Sequence, residues 1–574
     1  MISKIFLIIN KINSKEKLKL VYIIFLNLVS TVLEVLSIGL IFPVIIFLVK
    51  PFEEILQNNY LKIIIYKLNL ETQIQLVFFS LLSIFLAFLI KTVFISYKTI
   101  LEGKFIFDLR ANIASRLLSN YLKIPYLNFT KKNSSIYIQN TINVTNQFIE
   151  TVILPLITLL PEVFVIFAII VFLLAIELKA TLFSIFIVLL PAYIFYRFFK
   201  NKIQMWGKLQ QQNEKFSVFN LHQSLGSVKD IKVYKAEEFF INKFKYFAKL
   251  SASYVAKAHV LRILSRHYLE LVAIVGLITF IFISLRGNDF VDIIPVLGIF
   301  FASIIRLLPS ANRIILALQL LRYGKEHTRI LENELKLKIV APNVKKIKKL
   351  SFNKYIKFSN VSFRYSAKRK IFENLNLTIK KNSIIGITGV TGTGKSTFIN
   401  LLLGLYTPKK GKILIDNTEL DFNFKNWIDK VSYVSQSIVL LDDTIARNIA
   451  FAIQNENIDL QKVKECCEIA ELKKFIENSP KKYKTIVGEK GTNLSGGQIQ
   501  RIGLARALYK QNSELIILDE ATSSLDLVTE KKIVNKLRKF KKYKTIVIIS
   551  HRKKILEICE KIYELKNKKL ILKK

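Results

Sequence analysis

Residues 389–397, with the sequence GVTGTGKST, carry the clearest chemical signal in this chain. They match the phosphate-loop pattern G-x-x-x-x-G-K-[ST], between an apolar run that predicts a strand, IIGIT, and one that predicts a helix, STFINLLLG. Glycines let the backbone amides of such a loop point at phosphate oxygens, and the helix N-terminus adds its dipole. We therefore expect ATP binding, with Lys395 reaching the β- and γ-phosphates and Ser396 ligating Mg²⁺. The other residues expected around the nucleotide are Gly389, Val390, Thr391, Gly392, Thr393, Gly394 and Thr397.

Polar residues follow several further strand-like runs. VSYVSQ places Gln436 where its amide could reach Mg²⁺ and an attacking water. LIILDE ends at Asp519, a carboxylate suited to holding Mg²⁺, and Glu520, which could polarise a water. IVIISH delivers His551 and VSFRY delivers Tyr365, a ring that could stack on adenine. Taken singly, this histidine and this tyrosine would more often be structural.

A second anion cradle is predicted by LSGGQ, because a Ser-Gly-Gly turn opens the helical pattern IQRIGLARAL. Its residues are Ser495, Gly496, Gly497 and Gln498, far in sequence from the phosphate loop. SSLD then ends at Asp526, a further candidate nucleotide-site residue. The chain thus carries two anion-binding turns whose relation the local sequence leaves open.

The elements around these residues change character along the chain. From residue 351 onward, short β-branched strands alternate with helical patterns, which predicts an α/β domain with a mostly parallel sheet. Before residue 320, apolar residues concentrate in runs long enough to cross a bilayer. The predicted spans are 21–49, 73–97, 151–176, 180–199, 268–285 and 290–308. We expect a membrane domain at 1–330, a basic linker at 331–350 and a nucleotide-binding domain at 351–574.

Loop charges predict the orientation of these spans. Segments 98–147 and 200–267 are rich in Lys and Arg, whereas the opposite connections are short and nearly balanced. The positive-inside rule places both long segments in the cytoplasm, beside the two chain ends. They are helix-like, with turns expected at a first tip near 125–135 and a second tip near 220–230. The chain is therefore expected in the cytoplasmic (inner) membrane, with its ATP-binding domain in the cytoplasm.

The net charge of +44 has two explanations. It could indicate binding to nucleic acid or anionic lipid, or a Lys/Ile/Asn-rich bias of the whole chain, which we favour. A soluble ATPase acting on nucleic acid or ribosomes is the alternative from another class, but six spans argue against it, and no nucleic-acid partner is expected. The three cysteines have neither disulfide-framework nor zinc spacing and are expected to be reduced thiols.

A few cations lie in or beside the predicted spans: Lys91, Arg266, Arg306 and Arg313. Ionisable groups at such positions usually face a bundle interior or a wet cavity. They could receive an anionic headgroup, or they could pair with Glu34, Glu162 or Glu270, or snorkel to the interface. The sequence does not decide between these possibilities.

Together, the phosphate loop, Gln436, LSGGQ, LIILDE and His551 resemble, in order and spacing, an ATP-binding-cassette (ABC) exporter half-transporter, and the resemblance covers essentially the whole chain. TIVGEKG, with Glu489, also resembles the segment before the signature LSGGQ, while Thr391 stands where many members have Ser. The resemblance implies a type IV exporter-like bundle of six helices fused to an α/β P-loop cassette. It also implies a homodimer in which residues 389–397 of one copy face residues 495–498 of the other, so that ATP hydrolysis drives transport.

The cargo is less well indicated. LEVLSIGLIFP, IPYLNFTKKNSS and RLLPSANRI look like segments of bacterial lipid-linked oligosaccharide flippases. This likeness suggests flipping of an anionic, lipid-linked sugar or related glycolipid. The alternative is a peptide, drug or general lipid exporter of the same architecture.

Overall fold

The structure is a computed structural model that describes residues 14–40, 43–44, 47–48, 52–55, 65–67, 70–176, 178–284, 290–337, 350–366, 369–420 and 425–574. Two compact units make up the chain. The first contains Met1–Leu122 and Lys132–Lys338, and the second contains Lys123–Lys131 and Ile339–Lys574. The short segment Lys123–Lys131, at the first predicted tip, therefore groups with the cassette. The main part of the second unit begins at Ile339, within the segment predicted as a linker.

The helices up to residue 335 are numbered α1 to α12. They are α1 (Ser14–Gly39), α2 (Phe52–Ile55), α3 (Gln73–Lys123), α4 (Tyr126–Phe129), α5 (Ser134–Gln139), α6 (Thr145–Phe148), α7 (Leu154–Ile176), α8 (Leu178–Gly226), α9 (Val228–Val233), α10 (Glu237–Ser284), α11 (Phe290–Tyr323) and α12 (Lys325–Leu335). Segments α5 to α7 are joined by two π-helical turns, Asn140–Val144 and Ile149–Ile153. Helix α12 extends five residues into the segment predicted as a linker.

The long helices coincide with the predicted spans and continue beyond several of them. Each of α3, α8 and α11 contains one predicted span and extends past it, and α10 contains the span 268–285 up to Ser284 and begins well before it. Within the described residues, two stretches are long and apolar enough to cross a membrane by length and composition, Gln73–Lys123 and Ser134–Val171. Parts of the first predicted span and of the basic linker lie outside the described residues.

Small residues allow close helix packing in the first unit. A Cβ built on Gly207 in α8 would lie 2.3 Å from the carbonyl oxygen of Tyr323 at the end of α11. A Cβ on Gly324 would lie equally close to the hydroxyl of Thr151, in the second π-helical turn. Larger side chains at either glycine would force these helices apart.

The second unit is built on two sheets. Its strands are β1 (Tyr355–Arg364), β2 (Lys370–Lys380), β3 (Ile384–Thr388), β4 (Lys410–Ile415), β5 (Thr418–Glu419), β6 (Val431–Val434), β7 (Leu515–Asp519), β8 (Thr545–Ile549), β9 (Lys561–Lys566) and β10 (Lys569–Leu572). The main sheet has the order β10-β9-β3-β8-β7-β6, and all its neighbours are parallel except β9 and β10. This confirms the α/β prediction. The second sheet, β2-β1-β4-β5, is antiparallel and was not predicted.

Both faces of the main sheet are buried, which explains its unbroken apolar strands. In β7, Ile516 and Leu518 pack into one core with the helices that follow the signature turn. Leu515 and Ile517 point to the other face, into a core shared with the antiparallel sheet. A rigid sheet of this kind holds the ends of its strands in fixed positions.

Helices of the second unit are α13 (Lys395–Leu402), α14 (Lys425–Asp429), α15 (Ile445–Ile449), α16 (Leu460–Ile469), α17 (Lys473–Glu477), α18 (Gly496–Tyr509), α19 (Leu527–Phe540) and α20 (Lys553–Leu556). Helix α4 also belongs to this unit. The ring of Tyr126 in α4 stacks on Tyr406 at 6.1 Å between centroids, and Leu127 packs against the core beneath the antiparallel sheet. Aromatic packing therefore attaches the first tip to the cassette.

Candidate ATP site

The phosphate loop connects β3 to α13, as the sequence predicts. Gly389, Gly392 and Gly394 have φ values of 153°, 87° and 107°, which side chains other than glycine rarely adopt. A Cβ on Gly394 would also lie 2.6 Å from the Ile371 side chain, whereas one on Gly392 would meet no atom within 4 Å. The loop is thus tightly seated at its end and open along its middle, as a phosphate cradle requires.

Lys395, the first residue of α13, folds back over this loop. Its ammonium group donates to the carbonyl oxygen of Gly389 at 2.6 Å and contacts Nε2 of His551. Burial lowers the pKa of Lys395, although the charges of Glu520 and Asp519 oppose this shift. The lysine therefore lies between the loop and the ends of the neighbouring strands, where a phosphate would favour its charged form.

The strands β3, β8, β7 and β6 are parallel neighbours, so their carboxyl ends meet at one edge of the sheet. Gln436 follows β6, and its amide donates to Oε2 of Glu520 at 2.9 Å. His551 follows β8, and its Nε2 lies 3.7 Å from Oε1 of Glu520. The structure therefore brings Lys395, Gln436, Glu520 and His551 together, although they are far apart in the sequence.

Asp519 is buried at the end of β7. Its Oδ2 accepts a hydrogen bond from the hydroxyl of Tyr433 at 3.3 Å. Burial raises the pKa of Asp519, and the neighbouring charge of Glu520 acts in the same direction, while Tyr433 and Lys395 oppose it. A divalent cation beside this carboxylate would favour its ionised form.

These residues fit a nucleotide with Mg²⁺. Within the described residues, no group of three or more His, Cys, Asp and Glu side chains could hold a metal by itself. Mg²⁺ usually takes one or two carboxylates together with nucleotide phosphates, so Asp519 with Ser396 and Gln436 is a sufficient set. Ser396 is exposed on the first turn of α13, where its hydroxyl is available.

Tyr365 follows β1 and remains 39% exposed. Its hydroxyl lies 2.9 Å from that of Thr397, and its ring packs edge-on against Phe363 and Tyr406. The guanidinium of Arg369 lies 5.5 Å from the ring centroid. The tyrosine is thus fixed beside the phosphate-loop helix with part of its ring exposed, as an adenine platform requires.

The signature turn, residues 495–498, opens α18. Ser495 caps this helix by accepting from the backbone of Gln498, whose side chain accepts from the backbone of Ser495 at 2.8 Å. Within the described cassette, none of the hydrogen bonds of residues 495–498 reaches the phosphate loop. Gly496 and Gly497 instead lie against Ser524. Within the described cassette, no hydrogen bond thus joins the two anion cradles of one chain.

Asp526 caps α19, its Oδ2 accepting from the backbone of Thr529 at 2.9 Å. The backbone hydrogen bond of Thr529 lowers the pKa of this exposed carboxyl. A helix cap explains this aspartate without a nucleotide, and its predicted contact with ATP stays a prediction.

The predicted substrate cations separate into two groups. Arg266 pairs with Glu270 at 2.8 Å, Arg313 pairs with Glu162, and both arginines line a cavity of about 410 Å³. Lys91 instead lies over the ring of Phe88 at 4.6 Å and does not line this cavity. The side chain of Arg306 lies outside the described residues. Pairing with glutamates, one of the three possibilities, is thus observed for Arg266 and Arg313, while the cargo role stays a prediction.

Sequence reasoning missed several residues that shape the ATP site. Tyr433 holds Asp519, Tyr406 supports Tyr365, and Arg552 and Gln500 bind the turn that follows Glu520. Tyr433 lies inside the motif VSYVSQ, and Arg552 directly follows the motif IVIISH. Their positions in the sequence could therefore have indicated both as site residues. Tyr406 and Gln500 contribute through contacts across the fold, which no local pattern reveals.

Comparison with known proteins agrees with this geometry. Residues 372–523 match the family model described as ABC transporter. An ATP-dependent lipid A-core flippase of Haemophilus influenzae is 38% identical over 209 residues, which is 36% of this chain and 35% of that protein. The alpha-hemolysin translocation ATP-binding protein HlyB of Escherichia coli is 39% identical over 218 residues, 38% of this chain and 30% of that protein. These matches thus span about a third of the length of each relative.

The fold comparison covers much more of the chain. A bacterial Atm1-family ABC exporter with ATP bound superposes with a TM-score of 0.79, covering 97% of this chain and 95% of that one at 22% identity. At this identity the likeness concerns the fold. Residues 372–523 thus match the ABC transporter family model, and the chain has, over nearly its whole length, the fold of that exporter.

Proposed function

We propose that this chain forms a homodimer that uses ATP hydrolysis to export or flip an amphipathic substrate across the cytoplasmic membrane. The observation that carries the proposal is the convergence of Lys395, Gln436, Glu520 and His551 beside the glycine cradle. These groups have the positions that phosphoryl transfer to water needs. The apolar helices of the first unit supply the membrane part.

In this proposal each side chain has a defined task. Lys395 and the loop amides bind the phosphates, and Glu520 polarises the attacking water. Gln436 orients the Glu520 carboxylate through its amide hydrogen bond, and Nε2 of His551 lies 3.7 Å from the other oxygen of this carboxylate. Asp519 and Ser396 would hold Mg²⁺, which would supply positive charge beside the phosphates. Catalysis then rests on position and electrostatic stabilisation.

The homodimer follows from the separation of the two anion cradles. Because one chain carries both the phosphate loop and the signature turn, a second copy can complete each site. The second tip offers a further contact: Val233 and Tyr234 at the end of α9 are exposed. The cassette also has a groove of about 780 Å³ lined by residues that include Tyr433, Phe451 and Arg506. We propose that the second tip of one copy docks in this groove of the other.

An anionic glycolipid is the proposed cargo. The cavity that contains Arg266 and Arg313 provides two guanidinium groups beside Leu308 and Pro309, and Glu270 also lines it. An anionic headgroup would therefore have to compete with the glutamates that pair with the two arginines. Guanidinium groups bind phosphates through bidentate hydrogen bonds. The names of the lipid A-core flippases favour a glycolipid in general, and the flippase-like segments favour a lipid-linked oligosaccharide in particular. The relative HlyB, named for haemolysin translocation, makes a peptide exporter the second candidate.

A trapped complex tests the cargo directly. The Glu520→Gln variant is purified in native lipid with ATP, and its bound ligand is identified by mass spectrometry. The wild type and Lys395→Met, in which weaker ATP binding is expected, are treated in the same way. A polyprenyl-diphosphate sugar or glycolipid that depends on the trapped state supports the proposal. A peptide or small amphiphile in its place would reject the glycolipid assignment. Release of the protein from membranes by salt alone would reject the membrane placement.

A further inference from the structure

We propose that Arg552, together with Glu530 and Gln500, is a positioning residue for ATP hydrolysis because it fixes the 520–526 turn that begins with the catalytic carboxylate Glu520. This inference rests on the proposed ATPase function and adds residues that lie outside the recognised motifs. None of the three is expected to touch the nucleotide. Their effect on the reaction passes through the backbone of the turn.

Glu520 needs such support because its backbone is strained. Its φ is +51°, a left-handed conformation that costs about 1–3 kcal/mol for a residue other than glycine. Its own amide donates to the carbonyl oxygen of Ile549 at 2.9 Å, and its carbonyl accepts from the amide of Ser523 at 3.0 Å. These two bonds hold the start of the turn, and the rest of it needs separate anchors.

Arg552 holds the turn from the side of β8. One terminal nitrogen donates to the carbonyl oxygen of Leu525 and to Oε2 of Glu530, both at 3.1 Å. The other donates to the carbonyl oxygen of Ser523 at 2.6 Å. A single guanidinium thus joins two backbone carbonyls of the turn to a carboxylate. Since Arg552 directly follows His551, it also ties the turn to the histidine that faces Glu520.

Glu530 is the anchor for this guanidinium. It lies in the first turn of α19 and is only 1% exposed. Its second oxygen accepts from the hydroxyl of Thr522 at 2.7 Å, so it holds both Arg552 and the turn. A carboxylate this deeply buried is normally paired and hydrogen-bonded, and here both its oxygens are.

Gln500 holds the opposite side of the turn. Its amide nitrogen donates to the hydroxyl of Ser523 at 2.6 Å, and its oxygen accepts from the amide of Ser524 at 2.8 Å. Gln500 belongs to α18, whose first residues form the signature turn. A Cβ on Gly497 would lie 3.1 Å from the carbonyl oxygen of Ser524, so the two turns are in close contact.

The turn therefore joins two functions of one cassette. Through Arg552 it is tied to Glu520 and His551, which serve the ATP held by the same chain. Through Gln500 it is tied to the signature turn, which in the proposed homodimer serves the ATP of the other copy. Residues 520–526 are therefore held from two sides, by Arg552 after β8 and by Gln500 of α18.

The test separates position from nucleotide binding. Arg552→Lys keeps the charge beside Glu530 but replaces two terminal donors with one nitrogen. Arg552→Gln removes the positive charge beside Glu530. Gln500→Met removes the hydrogen bonds to Ser523 and Ser524 and leaves the buried Glu530 unchanged. Arg538→Gln, on the exposed side of α19, is the matched control. Each full-length variant is purified in the same membrane mimetic, and kcat, KM for ATP and thermal stability are measured.

We expect kcat to fall about 10- to 100-fold in Arg552→Lys and Gln500→Met, because a displacement near 1 Å of a catalytic group costs on this order. KM should stay within about twofold, because ATP binding does not use these residues. The control Arg538→Gln should match the wild type.

Two results would overturn the inference. One is an unchanged kcat in both Arg552→Lys and Gln500→Met, which would show that catalysis does not need the hydrogen bonds of these residues to the turn. The other is loss of ATP binding in step with kcat, which would show a general structural role. A wild-type protein that hydrolyses no ATP would instead refute the proposed function, and the positioning role with it.

Discussion

The replacement Glu520→Gln tests the role of the catalytic carboxylate with little change in shape. Gln436 donates to Oε2 of Glu520 at 2.9 Å, and a glutamine at 520 retains an oxygen that can accept this bond. The side-chain volume is nearly unchanged, so the strained turn and the phosphate loop should keep their positions. What the variant loses is the negative charge that polarises water.

The expected size of the effect follows from this single loss. Removing a positioned general base lowers the rate about 10²- to 10⁴-fold, or about 3–5 kcal/mol in activation free energy. The nearby Asp519 should not be weakened as a metal ligand. The charge of Glu520 helps to raise the pKa of Asp519, so a neutral residue at 520 would lower that pKa and favour the ionised form. ATP affinity should therefore stay within about twofold of the wild type.

Steady-state ATPase activity and equilibrium binding of a fluorescent ATP analogue, both in the presence of Mg²⁺, measure these two quantities. Glu557→Gln, an exposed carboxylate just after α20, is the control for charge removal near His551. A Glu520→Gln variant with more than a tenth of the wild-type kcat would refute the assignment of Glu520 as the base. Parallel loss of nucleotide binding would show that Glu520 supports the site rather than the chemical step.

Three further predictions concern other parts of the molecule. Lys395→Met should weaken ATP binding about 10- to 100-fold in the same binding assay, because a charge-assisted hydrogen bond contributes about 1.5–3 kcal/mol; unchanged affinity would contradict it. Asp416→Asn should lower the apparent Tm at pH 7. Burial opposes ionisation of Asp416, but hydrogen bonds from three backbone amides prevail and lower its pKa, so its contribution is present above about pH 4 and is lost as pH falls through the folded-state pKa. A Tm difference between the wild type and Asp416→Asn that persisted unchanged at pH values below the folded-state pKa of Asp416 would contradict this prediction. Arg313→Gln should lower flipping of a fluorescent anionic glycolipid in proteoliposomes, whereas Arg329→Gln, at an exposed arginine paired with Glu326, should not; equal activity of both would remove Arg313 from the cargo site.

Local chemistry made part of the ATP site predictable. The phosphate loop was recognisable because glycine spacing, a preceding apolar strand and a following helix all lie within a short stretch. Gln436, Asp519 and His551 were recognisable because each follows a strand of the parallel sheet, and such strands end at one edge. The structure accordingly places these residues where the sequence predicts.

Contacts between distant residues were not predictable in the same way. Nothing in the sequence around Gln500 indicates its bonds to Ser523 and Ser524, which depend on how α18 packs beside the turn. Likewise, the stacking of Tyr126 on Tyr406 groups the first tip with the cassette across a long stretch of chain. Local patterns carry element type, whereas these contacts arise from packing.

The antiparallel sheet is a third feature that the sequence did not predict. Strand β1 includes irregular register between Phe358 and Phe363 where it pairs with β2. Because the register of β1 is irregular, its apolar and polar residues alternate only weakly. Its partner strands could therefore not be assigned from the two-residue period of the sequence alone. The pairing of Arg266 and Arg313 with glutamates was one of three possibilities, and only the fold determines which carboxylate lies beside each arginine.

A cysteine cross-link tests most directly whether two copies complete one ATP site. Thr393 lies in the phosphate loop and Leu494 directly precedes the signature turn, so cysteines there leave Lys395 and Ser495 intact. The three native cysteines are buried, and burial raises their pKa values, so their background reactivity should be low.

Chains with Thr393→Cys and chains with Leu494→Cys are co-expressed with different tags, purified with ATP and Mg²⁺, and oxidised. The account predicts a disulfide-linked dimer that carries both tags, formed with ATP and absent when either variant is expressed alone. An internal cross-link in a chain that carries both cysteines, with no mixed dimer, would contradict it, because the two cradles would then meet within one copy.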